Sequence, residues 1–141
     1  MTADVTTVDS AADSRRSFPI RAAIATVLSV VVNVGIVAAA GAFDVAPGFQ
    51  ALTVPPVAFL SAVGAIGAVL VYLLLRRVSS SPDRTFRRVA VAVLVLSFLP
   101  DIGLLFADET ATPLGVGLLM AMHVTVAAIC IGLLPGGGPR R

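Results

Sequence analysis

The residues able to do chemistry in this chain are few, and they stand inside long apolar runs. Asn33, Ser61, Asp101 and His123 each interrupt a hydrophobic stretch. An amide, a hydroxyl, a carboxylate or an imidazole placed in hydrocarbon loses its hydrogen bonds to water and must find partners in protein. His123 is the single histidine. Its ordinary titration lies closest to neutrality, so it is the candidate proton acceptor or ligand contact. Met120, Ala127 and Cys130 share its helical face. One Met–His–Cys face is a weak metal or haem signal, and packing is the simpler reading. The chain has no zinc-type cysteine spacing, no phosphate-binding glycine loop and no HExxH. No catalytic set, metal site or cofactor is therefore assigned. A second group is basic: Arg76, Arg77, Arg84, Arg87 and Arg88 lie in RRVSSSPDRTFRR. Such a cluster suits anionic lipid headgroups and also serves as an ordinary topology determinant.

The elements that must position these groups are four apolar runs, at 22–42, 54–75, 89–107 and 113–134. At ~1.5 Å per residue each crosses, or nearly crosses, about 30 Å of hydrocarbon. Positive charge is absent from the first gap, which holds Asp44, and from the third, which holds Asp108 and Glu109. The arginines lie before the first run, in the second gap and after the last. Only an even number of crossings puts those places on one side. The positive-inside rule then predicts an all-α four-helix transmembrane bundle with both termini and the 76–88 loop in the cytoplasm.

With 57% hydrophobic residues in 141, the chain is one membrane domain with short loops. Residues 1–17 are expected to be a disordered cytoplasmic tail, 18–135 the membrane domain and 136–141 a second cytoplasmic tail. The arginines flank helix ends, so the net charge of +2 points to lipid and not to nucleic acid. Cys130 stands alone and makes no intrachain disulfide. SRRSFPI at 14–20 resembles a twin-arginine export signal, with AAAG at 38–41 as small residues for cleavage. The length of the first run and its need for an inner flank favour a retained span. Arginine without lysine fits a GC-rich prokaryotic genome.

The first helix is predicted to run from about Pro19 to about Gly41, with Asn33 near mid-membrane. The outer loop FDVAPGFQALT is expected to rest its two phenylalanines at headgroup depth. The second helix carries Ala58, Ser61, Ala65 and Ala68 on one face with Gly64 beside them, a surface for close helix packing and for a homodimer. Tyr72 reads as an interface anchor. In the third helix Pro100 frees a carbonyl near Leu96. Asp101 then has three readings: protonated in the bundle, hydrogen-bonded to Ser61, or marking the outer end of a short helix. Thr112 is the expected N-cap of the fourth helix, with Pro113 in its first turn. His123 falls at the depth of Asn33 in an antiparallel neighbour. Asn33 is its preferred partner and Asp101 the second choice.

TPLGVGLLMAMHVTVAAICIGLLP at 112–135 and LSFLPDI at 96–102 resemble a family of small four-helix prokaryotic integral membrane proteins of unknown function, found in actinobacteria and halophilic archaea. The resemblance implies four spans and a cell-membrane location, and no activity. The family's first outer loop is often longer and proline-rich, whereas here it is brief. The leading expectation is a non-enzymatic membrane protein that binds a lipid-like ligand or a partner membrane protein, itself included. One alternative is a membrane redox or lipid-modifying enzyme, or an accessory to one, using His123 and Asp101. Another is a small oligomeric transporter or channel subunit whose polar path is Asn33, Asp101 and His123.

Overall fold

The computed structural model describes residues 6–136, with side chains from Ser17 onward. It contains helices α1 (Thr6–Ala42), α2 (Val54–Val78), α3 (Pro82–Ala107) and α4 (Pro113–Leu133), and a single 3-10 turn at Gln50–Leu52. No strand occurs among the described residues. Four segments, Ser17–Ala42, Val54–Val78, Pro82–Ala107 and Pro113–Leu133, are long and apolar enough to cross a membrane. The chain is a multi-pass, four-helix membrane bundle.

Two boundaries differ from expectation. Helical backbone begins at Thr6, inside the stretch expected to be disordered up to residue 17, and passes through Pro19. Adding residues to an existing helix gains a hydrogen bond per residue without a new nucleus, so a long span extends readily into its flank. Residues 1–5, and the expected tail from 137 onward, lie outside the described residues. The third helix likewise passes through Pro100 to Ala107. Asp101 is therefore within the helix and buried, which removes the reading that made it the helix end.

α1 lies against α2 and α4, while α3 packs mainly on α4 and less on α2. The core is split in two. One cluster, toward the loops that hold Asp44 and Asp108, joins Val37, Phe49, Leu52, Val57, Val116, Leu119 and Met122. The other, toward the arginines, joins Phe18, Ala25, Ala65, Tyr72, Phe86, Cys130 and Leu134. Phe43 of the first loop is 82% exposed, as expected for an interfacial aromatic, but Phe49 is only 1% exposed and belongs to the bundle core. The loop turns it inward through Asp44 and Gly48, both at positive φ. Gly115 makes this possible: a Cβ there would stand 3.1 Å from Phe49 and 3.1 Å from Ala46.

The small-residue face of α2 is used inside the chain. Ala65 is wholly buried in the arginine-side cluster, where Ala68 packs against it, and Ser61 is buried too. A Cβ on Gly64 would lie 3.7 Å from Val126 of α4. Ala58 is half-buried on the same face. Short side chains let backbones approach, and here the approaching backbones are the chain's own.

Candidate functional site: a polar layer between two apolar cores

Between the two clusters lies a layer of polar side chains drawn from every helix: Ser29 and Asn33 from α1, Ser61 from α2, Asp101 from α3 and His123 from α4. Measured from the acidic-loop ends of their helices, Asn33, Ser61, Asp101 and His123 fall roughly 9–15 Å deep at ~1.5 Å per residue. The layer is largely enclosed. Ser29, Asn33, Ser61 and Asp101 are all buried.

The pairings follow the second choice offered by the sequence and not the first. The Asn33 amide donates to Ser61 Oγ at 2.8 Å and to the Met122 carbonyl at 3.3 Å. His123 instead faces α3, its Nδ1 3.0 Å from Asp101 Oδ2. The expected Asn33–His123 contact is therefore absent, as is the Asp101–Ser61 bond. The reason is rotational. Successive helical residues point about 100° apart. Met122 faces α1 with its carbonyl beside Asn33, so the next residue is turned toward α3. Depth was matched correctly, and azimuth was not.

The tautomer of His123 follows from its contacts. Nδ1 lies 2.9 Å from the Leu119 carbonyl oxygen, one turn earlier in α4. A carbonyl only accepts, so Nδ1 carries the hydrogen. That hydrogen is directed at the carbonyl, and the carboxylate is near but off its line. Asp101 Oδ2 is consequently left, with Asn33 Oδ1 and Ser29 Oγ, as a buried polar atom lacking a directed hydrogen bond. With Nδ1 engaged, Nε2 is the remaining ring nitrogen. It makes no hydrogen bond among the described residues and is not one of the enclosed polar atoms. The His123 side chain is 38% exposed against 9% for Asp101. A ring nitrogen is thus offered at the surface of the bundle near mid-membrane. No group of three or more His, Cys, Asp or Glu side chains placed to hold a metal ion occurs among the described residues.

The arginine-rich end is assembled differently. Arg21 Nε donates to the Leu133 carbonyl at 2.8 Å, and its Nη2 donates to those of Leu134 at 3.2 Å and Pro135 at 2.5 Å. The last carbonyls of a helix lack internal donors, and a cation there also meets the negative end of the helix dipole. Tyr72 is buried between Phe18, whose ring is stacked at 5.7 Å, and Phe86, edge-on at 5.2 Å. Its hydroxyl donates to Asp83 Oδ1 at 2.7 Å. Tyr72 is therefore a joint between α1, α2 and α3, not a simple interface anchor. Sequence reasoning does not single out the contacts of Arg21, Phe18 and Phe86. Their one signal is an aromatic close to arginine at the start of two spans, SRRSFPIR and DRTFRR. Arg76, Arg77, Arg84, Arg87 and Arg88 are all exposed at this same end. At the other end, the Thr112 side chain accepts from Gly115 N at 3.0 Å, as the cap reading required. Asp108 accepts from both the backbone and the hydroxyl of Thr110, which holds its carboxyl below the usual carboxylate range.

Comparisons with curated proteins and with solved structures gave no match. A family model matches residues 13–140, spanning all four helices and the polar layer between them. On that match the chain belongs to a family of unknown function, DUF6069.

Proposed function

We propose that this chain is a non-enzymatic subunit of a prokaryotic cytoplasmic membrane that receives a helix of a partner membrane protein at the α3–α4 seam, around His123. One observation carries the reading: His123 Nε2 is accessible near mid-membrane with nothing bonded to it. Apolar side chains exposed on a bundle are satisfied by lipid and call for no partner. A bare ring nitrogen is not satisfied by lipid. A Ser, Thr, Asn or Gln side chain on a facing helix is the fitting partner, because each can both donate and accept at a ring nitrogen. His123 is partly exposed on the outside of the bundle, which suits a facing helix surface. The arginine positions support cytoplasmic termini, with Arg76, Arg77, Arg84, Arg87 and Arg88 among anionic headgroups.

A photo-crosslinking residue at the exposed Val124 tests this in native membranes. The wild-type side chain at position 123 is expected to give a discrete cross-linked product. His123→Leu should abolish it while the bundle stays folded, and His123→Gln, which keeps an acceptor, should retain part of it. Undiminished cross-linking in His123→Leu overturns the reading.

A second reading has one observation in its favour. A carboxylate beside Nδ1–H with a free Nε2 is the base half of a hydrolase-type relay, able to take a proton from a hydroxyl of a lipid-soluble substrate. It ranks lower because no nucleophilic side chain hydrogen-bonds Nε2. A bound hydroxylated lipid in the purified protein would promote it. A channel or transporter subunit ranks third, because apolar clusters bound the polar layer on both sides.

A further inference from the structure

A groove of about 310 Å³ runs between α1 and α2, lined by Ala22, Ala23, Thr26, Val27, Ile66 and Val69. It opens because alanines stand on α1 where Ile66 and Val69 pass it. Its one polar lining group, the Thr26 hydroxyl, is turned back onto the Ala22 carbonyl at 3.0 Å, so the walls present no free hydrogen-bonding atom. The foot of the groove is basic. Phe18 lies one turn before Ala22 on α1, and Arg76 lies two turns beyond Val69 on α2. The Arg76 guanidinium stands 5.4 Å over the Phe18 ring. This cation–π contact fixes the cation at the end of the groove without neutralising it. Arg76 makes no ion pair among the described residues, and Asp83, the acidic residue of the same loop, accepts the Tyr72 hydroxyl.

We propose that this is a phospholipid site: one acyl chain lies in the α1–α2 groove, and the phosphate of an anionic headgroup sits on Arg76. The two halves do different work. Moving an acyl chain from bulk lipid into an apolar groove exchanges like for like, so the groove fixes the position of the chain and adds little selectivity. Headgroup selectivity comes from the guanidinium, whose planar fork matches phosphate oxygens. The site is independent of His123, so either assignment can fail alone.

Native mass spectrometry of the full chain, delipidated in mild detergent and offered equal phosphatidylglycerol and phosphatidylcholine, tests it. One phosphatidylglycerol is expected to be retained with about fivefold preference, the factor corresponding to ~1 kcal/mol per arginine at an anionic surface. Arg76→Gln should bring the two lipids to near parity, whereas Arg87→Gln should leave the preference intact. Ala23→Phe fills the groove from an exposed position and should lower retention of both lipids with Arg76 still present. Glycerol phosphate, which has no chains, should give no adduct at the same concentration. Equal losses in Arg76→Gln and Arg87→Gln, unchanged retention in Ala23→Phe, or an adduct with glycerol phosphate would each overturn the proposal.

Discussion

At the arginine-rich end, Arg21 closes on three carbonyls of the α4 terminus, and Tyr72 is stacked, edged and hydrogen-bonded at once. A few turns deeper, Asn33 uses its amide but not its carbonyl oxygen. Ser29 there uses nothing, and Asp101 is left with an oxygen no hydrogen points at. The two regions hold similar polar material, completed to different degrees. The finished end has the marks of a joint that holds helices together. Buried polar atoms without protein partners are costly to keep, and one member of the layer, His123, reaches the surface. Completed and incomplete hydrogen bonding thus lie at different depths of one bundle.

The largest expected effect falls on the finished end. Arg21→Ala removes a charged donor from three carbonyls and should destabilise the bundle by about 2–3 kcal/mol, read by reversible unfolding in bilayers or micelles. Arg21→Lys should recover only part of this, since an ammonium lacks the guanidinium fork. A loss well below 1 kcal/mol for Arg21→Ala would erase the contrast between the regions. Next comes Tyr72→Phe, which keeps both ring contacts and drops the hydroxyl, with an expected cost of about 0.5–1.5 kcal/mol. In the unfinished layer, an Asn33→Ala and Ser61→Ala double-mutant cycle should give a coupling of about 0.6–1.7 kcal/mol, the range of such bonds in membranes. Asn33→Ala paired with His123→Ala should be additive, because those side chains do not meet. A coupling in the second cycle as large as in the first would contradict the pairing.

The smallest effect lies outside the membrane. The Asp108 carboxyl should titrate below the ordinary range, and Thr110→Ala should move it back up, as followed by NMR. The folded value is depressed, so any stability it lends is present above the ordinary carboxylate value. It disappears as pH falls through the lowered one.

How legible this was in the sequence depends on dimension. Span number, the Thr112 cap and the depth of the polar residues follow from counting along the chain, and the helices fall where the apolar runs lie. Rotation about each helix axis is not encoded in a nearly uniform apolar stripe. Met122 and His123 differ by one position and serve opposite neighbours, and no periodicity in α4 separates them. Asp101 was assigned a candidate ending because proline disfavours a helix interior, but a membrane leaves few alternatives to continuing the helix. Phe49 was misplaced because its neighbour Gly115 lies far along the chain. An opening at a distant glycine cannot be seen from the loop itself.

The grip of Arg21 also sets an order of events during synthesis. Its first acceptor lies 112 residues further along the chain, so the first helix enters the bilayer with its guanidinium unanswered. Until the last helix arrives, lipid phosphates at the membrane surface are the available substitute. Closing the bundle then means exchanging a lipid contact for a protein one. The final span acts as the latch on the first, and a ribosome stalled before it would leave three helices in the membrane without the contact that closes them.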